Sequence, residues 1–150
     1  MRGFSLIELL LALAILTIAS AIALPIYNAY SVRAERTGIQ ADLMRCVQGM
    51  ERHANVAMSY EGAVDTDGDG AGDASTGLVS ANICRVEATA YTVTVQEAEP
   101  TRFVLRARAV ESDSLVGRDG MLELDSAGGR RWDRNNDGDF DDDGETGWRP

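Results

Sequence analysis

Two acidic stretches of the chain place oxygen-bearing side chains at alternate positions. In the first, D-T-D-G-D-G-A-G-D, Asp65, Asp67 and Asp69 alternate so that three carboxylates converge, and the glycine that follows permits a sharp turn. Asp73 falls at the ninth position, as in an EF-hand-type Ca²⁺ loop, but the twelfth position is Thr76 in place of a bidentate Glu. The stretch predicts a Ca²⁺ site, and the alternative is a solvated acidic turn.

The second stretch lies close to the C-terminus and reads D-R-N-N-D-G-D-F-D-D-D-G-E. Position six of the same loop pattern is a glycine, position twelve is Gly144, and the acid Glu145 follows one residue later. The stretch predicts a second Ca²⁺ site, or one shared site if the folded loops meet; the alternative is a disordered acidic tail. Oxygen ligands occupy positions one, three, five, seven and nine as Asp133, Asn135, Asp137, Asp139 and Asp141.

Cys46 and Cys84 are the only cysteines of the chain. Outside the cytoplasm two thiols in a small domain most often pair, and this pair would join a helix to the start of a sheet. The alternative is two buried thiols. Zinc and C-x-x-C spacings are absent, His53 is the single histidine, and no G-x-S-x-G, phosphate loop or H-E-x-x-H occurs. We therefore expect neither a zinc site nor an enzyme.

Glu8 is the single charged residue within a long apolar run near the N-terminus. Residues 4–26 carry no other charge and are predominantly apolar, and about 20 such residues in a helix span a hydrocarbon layer of about 30 Å. A carboxylate at the centre of a bilayer costs about 2.5 kcal/mol or more, so Glu8 is by default a functional residue. A cleaved secretory signal is the alternative, but the charged leader is very short and no small-residue cleavage site precedes Pro25.

The residues around Glu8, read as G-F-S-L-I-E, resemble the N-terminal signature of type IV prepilins. In that family a peptidase cuts after the Gly, methylates the new N-terminal Phe and leaves the Glu as the fifth mature residue. The resemblance implies cleavage between Gly3 and Phe4 and an assembly role for Glu8. A carboxylate one turn from a helix start suits the helix dipole and can neutralise the ammonium of a neighbouring subunit's Phe4. The leader is shorter and less basic than is usual in the family, and the alternative is a signal anchor.

Past Pro25 the pattern continues as an amphipathic helix. Pro25 removes one backbone donor and is expected to kink the helix without ending it. Polar residues, Asp42 among them, take the remaining faces. We predict one helix from about Phe4 to Met58, about 80 Å long, of which only the second half packs on a globular domain. The apolar positions of its second half are Val32, Ile39, Leu43, Cys46, Met50, His53 and Ala57.

Alternating residues predict strands in the distal half of the chain. Residues 91–96 and 103–110 are predicted to form a hairpin, with Phe103, Leu105 and the next alternate residues on one face and arginines on the other. Residues 121–125 and 130–132 add further strands. Three or four antiparallel strands cover the apolar face of the helix, so the predicted fold class is α+β.

Charge is uneven along the chain. The formal charge is −10 at pH 7, and most of the excess acid lies in residues 60–150. An acidic domain binds nucleic acid poorly on phosphate electrostatics, although pilins contact DNA through local basic patches. We leave nucleic acid open as a partner.

The domain organisation follows from these segments. Residues 1–3 are the leader, residues 4–28 the membrane or filament-core half of the helix, and residues 29–150 a periplasmic or extracellular domain. The stretch P-I-Y-N-A-Y-S-V-R-A-E-R, followed by M-E-R-H and S-Y-E-G, resembles the helix of PilE-like minor pilins. The C-terminal acidic stretch loosely resembles the calcium loop of type II secretion pseudopilins.

The resemblance implies a structural subunit of a type IV pilus with a role in motility, DNA uptake or attachment. Its partners would be other pilin subunits, the prepilin peptidase, an inner-membrane assembly platform and, before assembly, membrane lipid. It would reside in the inner membrane first and in an extracellular pilus afterwards. Two alternatives stay open, a type II secretion pseudopilin and a membrane-anchored calcium-binding module that does not polymerise.

Overall fold

A computed structural model describes residues 5–69, 72–113, 116–117 and 119–149. One long helix is followed by an antiparallel meander whose strands pair in chain order. This arrangement confirms the predicted α+β class with a long helix on a small antiparallel sheet. The elements are α1 (Leu6–Ala57), β1 (Gly77–Leu78), β2 (Tyr91–Glu99), β3 (Arg102–Ala109), β4 (Leu122–Asp125) and β5 (Arg130–Trp132).

Helix α1 is continuous through Pro25 and has 52 residues, which corresponds to about 78 Å. It ends at Ala57 and is capped by Met58, which has a left-handed backbone and donates its N–H to the carbonyl of Ala54 at 2.8 Å. Its buried residues all lie in its second half, from Ile39 to Met50. The first half therefore protrudes from the domain, as the sequence predicts.

The sequence pattern places Asp42 on the wet face of α1, and this is wrong because Asp42 is buried. Its Oδ2 accepts the backbone N–H groups of Glu87 and Ala88 at 2.9 and 2.8 Å, and its Oδ1 binds the Arg45 guanidinium. These two backbone N–H groups lie in the segment before β2, and a backbone N–H group that is shielded from water requires a hydrogen-bond acceptor. The face of α1 against the sheet is thus partly polar. At its distal end the predicted apolar face is also wrong, since Ala57 is exposed.

The sheet buries one face against α1. In β3 the alternate residues Phe103, Leu105, Ala107 and Ala109 are buried, as predicted, and the β2–β3 hairpin pairs Tyr91 with Ala109. The register shifts between residues 95 and 97, which marks a bulge. Strand β1 is not predicted from the sequence, because two residues are too short for an alternating pattern.

Gly49 sets how closely α1 approaches the segment before β2. A Cβ built on Gly49 would lie 2.0 Å from the carbonyl oxygen of Ile83, so a side chain requires the two backbones to separate. Gly38, in the same helix, would meet nothing within 4 Å. Within the described chain, therefore, the close approach of two backbones requires a glycine at position 49 but not at position 38.

We expect Gly49→Ala to lower the free energy of unfolding by about 1–3 kcal/mol, because it overpacks a backbone contact. Gly38→Ala is the matched control and is expected to raise it by up to about 1 kcal/mol through helix propensity. Urea unfolding of the full chain in detergent, followed by tryptophan fluorescence, measures both. Destabilisation of equal size in the two variants would contradict the close approach at Gly49.

Candidate functional site

The N-terminal half of α1 is an apolar surface with no partner within the described chain. Its large apolar side chains, from Leu6 to Ile26, are each at least 51% exposed, and Tyr27 and Tyr30 are exposed as well. The most apolar window has a mean hydropathy of 2.6 and no buried residue, so length and composition allow it to cross a membrane. An apolar surface of this extent marks an interaction surface for lipid or protein.

Glu8 lies in the first turn of α1 and is exposed. The backbone N–H groups of Glu8 and Leu9 donate to the carbonyl of Ser5 at 3.1 and 3.2 Å. A carboxylate at this end of a helix interacts favourably with the helix dipole. Gly3 and Phe4, the predicted processing residues, lie outside the described residues, so the processing site and the assembly role of Glu8 stay predictions.

The predicted disulfide is confirmed: Cys46 and Cys84 are bonded, with their Cα atoms 4.9 Å apart. Cys46 is buried in α1 and Cys84 is half-buried in the segment that leads to β2. The bond therefore fastens this segment to the helix beside the contacts made by Asp42 and Gly49.

The first acidic loop brings three of its four predicted ligands together. Oxygens of Asp65, Asp67 and Asp69 lie within 4.8 Å of one another, close enough to share a cation. The Asp73 carboxylate instead accepts the N–H of Thr66 at 3.0 Å and its hydroxyl at 2.6 Å, and these bonds lower the pKa of Asp73. Gly70, the predicted turn residue, lies outside the described residues.

The C-terminal acidic loop begins with the folding pattern of a cation-binding loop. Asp133 is buried, and its two carboxylate oxygens accept the backbone N–H groups of Asp137 and Gly138, both at 3.1 Å. Gly138 has φ +99°, a conformation that favours glycine. The Asn135 amide donates to Asp137 and Asp142 at 2.8 and 2.6 Å. Positions one, three, five and six of the predicted pattern thus share one turn.

Glu145, one residue beyond the expected position twelve, closes this loop. It is buried, and its carboxylate accepts the backbone N–H groups of Arg134 at 2.9 Å and Asp142 at 3.4 Å. The pKa of Asp142 is raised by desolvation and then by the negative charges of Asp137, Glu145 and Asp139. This loop follows β5 whereas the first lies beside β1, at opposite edges of the sheet, so the single shared site is wrong.

Arg106 and Arg108, which the sequence pattern places on the far face of β3, lie on the outer face of the sheet, away from α1, and Arg131 of β5 joins them there. Glu123 is buried between Arg106, whose Nη2 is 2.6 Å away, and Arg131, and these three residues face one another across β3, β4 and β5. The Phe140 ring lies 5.6 and 5.2 Å from the two guanidinium groups, within cation–π range. Only the alternation of arginines in β3 hinted at this arrangement.

Arg108 lies two residues beyond Arg106 on the same outer face, opposite Thr92, and is exposed. No ion pair involves it within the described part of the chain. Arg106 and Arg131 share the Glu123 carboxylate, and Glu97 lines the same cavity. We call Arg106, Arg108 and Arg131 the outer-face arginine cluster.

A second buried network anchors α1 to the loop before β4. The Arg36 Nε donates to Asp119 at 2.8 Å, and the Tyr91 hydroxyl donates to the same carboxylate. Burial and the Asp119 carboxylate raise the pKa of Tyr91, which keeps its hydroxyl protonated. Arg36 also lies 3.9 Å from the centre of the Trp132 ring. This network fastens α1 to the sheet and to the loop before β4.

Two family models match the chain in adjoining segments. A family model described as type IV minor pilin ComP, DNA uptake sequence receptor, matches residues 25–117. A second model, the prokaryotic N-terminal methylation motif, matches residues 1–24. A search of curated proteins and a search of solved structures each gave no match. The two family matches confirm the predicted pilin class, whose members are filament proteins and not an enzyme family.

The ComP model covers more than half of the 150 residues and includes α1 beyond Pro25, the disulfide and the β2–β3 hairpin. The N-terminal motif covers Glu8 and most of the exposed half-helix. The C-terminal acidic loop lies beyond both matches. The chain therefore belongs to the ComP family of type IV minor pilins and carries the N-terminal methylation motif of that class.

Proposed function

We propose that the chain is a minor subunit of a type IV pilus that is held in the inner membrane by α1 and then inserted into the filament by the same half-helix. The exposed apolar surface from Leu6 to Tyr30 carries this proposal. Burying apolar surface contributes about 25 cal/mol per Å², so the surface requires lipid before assembly and neighbouring helices afterwards. Prepilin peptidase would cut between Gly3 and Phe4 and methylate Phe4.

Shearing the filaments from cells that make the tagged chain tests this function. We expect the chain in the sheared fraction, with a mass that lacks residues 1–3 and carries one added methyl group. A chain found only in the membrane fraction would support the non-polymerising anchored module. Deletion of the gene separates the remaining alternative, because loss of surface pili or twitching indicates a pilus and loss of enzyme export indicates a type II pseudopilus.

A second role, DNA binding, is favoured by the outer-face arginine cluster. The family description names ComP as a DNA uptake sequence receptor. In this chain α1 lies against the inner face of the sheet, so the outer face points away from a central bundle of helices. Guanidinium groups on an exposed face bind phosphates, and such binding weakens as salt rises. We propose that this face contacts the DNA backbone.

We expect Arg108→Gln to weaken duplex DNA binding about threefold to tenfold and to reduce the salt slope by about one, because one phosphate contact is lost. Fluorescence anisotropy of a labelled duplex, titrated with the full chain in detergent at several salt concentrations, measures both quantities. Arg102→Gln is the control, since Arg102 is exposed but paired with Glu97 at 2.5 Å and Glu99 at 2.8 Å. An equal loss in both variants would contradict a contact specific to the cluster.

We also propose that Ca²⁺ binds the C-terminal acidic loop. The turn held by Asp133 and the concentration of carboxylates around Asp142 support a cation there. Ca²⁺ would be held by oxygens of Asp133, Asn135, Asp137 and Glu145, and it would neutralise their mutual repulsion. The first loop is a second candidate, because oxygens of Asp65, Asp67 and Asp69 already lie within 4.8 Å of one another although Asp73 is bonded to Thr66.

At a Ca²⁺ concentration about 100 times its Kd, binding adds about 2.7 kcal/mol and raises the Tm by about 5 °C or more relative to chelator. We expect Asp137→Asn to remove this rise, whereas Asp143→Asn, an exposed acid outside the ligand pattern, is expected to retain it. Thermal unfolding of the full chain in detergent makes the comparison. A Tm that is identical in Ca²⁺ and chelator would exclude the site.

A further inference from the structure

A basic groove runs along one flank of the domain, beside the disulfide. It has a volume of about 260 Å³ and is lined by Arg45 and Arg52 from α1 and by Arg85 and Glu87 from the segment that follows Cys84. Arg45 is engaged by Asp42 and, at 3.4 Å, by Glu87. Arg52 and Arg85 are exposed and form no ion pair with any described residue. The groove thus holds two guanidinium groups that lie outside the described ion pairs, beside one carboxylate, Glu87.

The opposite flank is strongly acidic. The loop of residues 133–145 carries seven carboxylates and one arginine, Arg134. The Arg134 guanidinium donates to the Arg149 carbonyl at 2.8 Å and forms no ion pair with the loop acids among the described contacts. Asp141 and Asp143 are exposed, and the described hydrogen bonds show no donor to either carboxylate. These carboxylates face solvent.

The sheet keeps the two charged flanks apart within one chain. The groove segment leads into β2, whereas the acidic loop follows β5, and three strand spacings of about 4.8 Å separate these strands by about 14 Å. Among the described residues, no ion pair joins the groove arginines to the acids of the loop. Surfaces of opposite charge on separate flanks are complementary in a head-to-tail contact between two copies.

We propose that the groove of Arg45, Arg52 and Arg85 receives the acidic loop of a second copy of this chain. The inference rests on the proposed assembly into a filament and adds the lateral contact between subunits. The guanidinium groups of one copy would bind carboxylates such as Asp141 and Asp143 of the next. This contact does not involve the apolar half-helix, and the loop that it uses also carries Phe140, which lies against Arg106 and Arg131 of the same copy.

The chain contains no lysine, which permits a direct test in sheared filaments. The double variant Arg52→Lys and Arg85→Lys keeps the charges and introduces side-chain amines, which a carbodiimide couples to any carboxylate in direct contact. We expect a new covalent dimer in which Lys at these positions is joined to the C-terminal tryptic peptide that begins at Asn135. Arg102→Lys, exposed at the β2–β3 turn, is the control and is expected to give no such product.

Three outcomes would overturn the inference. They are recovery of the variant in filaments without the dimer, coupling of the lysines only to another protein, and coupling of the lysines to the acidic loop of the same copy. Each leaves the assembly proposal intact, because the chain is still present in the sheared fraction. Absence of the wild-type chain from that fraction would overturn both proposals.

Discussion

Replacement of Glu8 by alanine is expected to leave the chain in the membrane but to abolish its recovery in sheared filaments. The half-helix around Glu8 retains its apolar side chains, so anchoring in lipid is unaffected or slightly improved. In the filament, a carboxylate among apolar helices requires a partner, and the ammonium of a neighbouring Phe4 would supply it. Removal of one member of a buried ion pair costs about 3–5 kcal/mol.

That cost corresponds to a loss of more than about a hundredfold in incorporation, at about 1.4 kcal/mol for each factor of ten. Quantitative immunoblotting of sheared and membrane fractions measures the ratio. Glu8→Gln keeps the shape of the side chain but removes its charge, and it is expected to abolish incorporation as alanine does. Glu8→Asp keeps the charge and is expected to restore part of the incorporation. Ser5→Ala, one turn away, is the control without charge. Normal incorporation of Glu8→Gln would show that the carboxylate is not paired during assembly.

Replacement of both Cys46 and Cys84 by alanine is expected to lower the free energy of unfolding by about 4 kcal/mol. The bond closes a loop with a sequence separation of 38, and the chain-entropy model assigns a loop of this size about that value. Small domains are stable by about 5–15 kcal/mol in total, so the loss is a large part of the whole.

Urea unfolding of the full chain in detergent, with and without a reducing agent, measures this loss. Reduction is expected to shift the wild-type midpoint to that of the double variant and to leave the variant unchanged. The Asp42 hydrogen bonds and the Gly49 contact also hold the segment before β2, and they persist in the variant. Coincident midpoints for the oxidised wild type and the variant would show that these contacts are sufficient without the bond.

Several buried carboxylates illustrate what local sequence patterns miss. Asp42 accepts amides 45 and 46 residues away, Glu123 binds an arginine 17 residues earlier, and Asp119 binds an arginine 83 residues earlier. In the sequence each of them is an ordinary charged residue. Their burial depends on partners that come close only when the sheet and α1 pack together.

The acidic loops also combine features that the local sequence predicts with features that arise only on folding. The alternation of oxygen ligands is readable from residues 65–73 and 133–141, because adjacent residues of a loop determine it. The role of Glu145 is not readable, since its carboxylate reaches across the loop to the N–H of Arg134. The strand order decides that the two loops lie at opposite edges of the sheet.

The pilin class, the extent of α1 and the α+β arrangement are predictable from local sequence, because a cleavage motif, an apolar run and hydrophobic periodicity are properties of neighbouring residues. The first half of α1, with Glu8, is predictable in the same way, because its length and its single charge are read directly from consecutive residues. Folding, by contrast, separates the basic groove from the acidic loop and brings Arg131 beside the arginines of β3 on the outer face. Those surfaces depend on contacts between residues far apart in the chain, which no local pattern encodes.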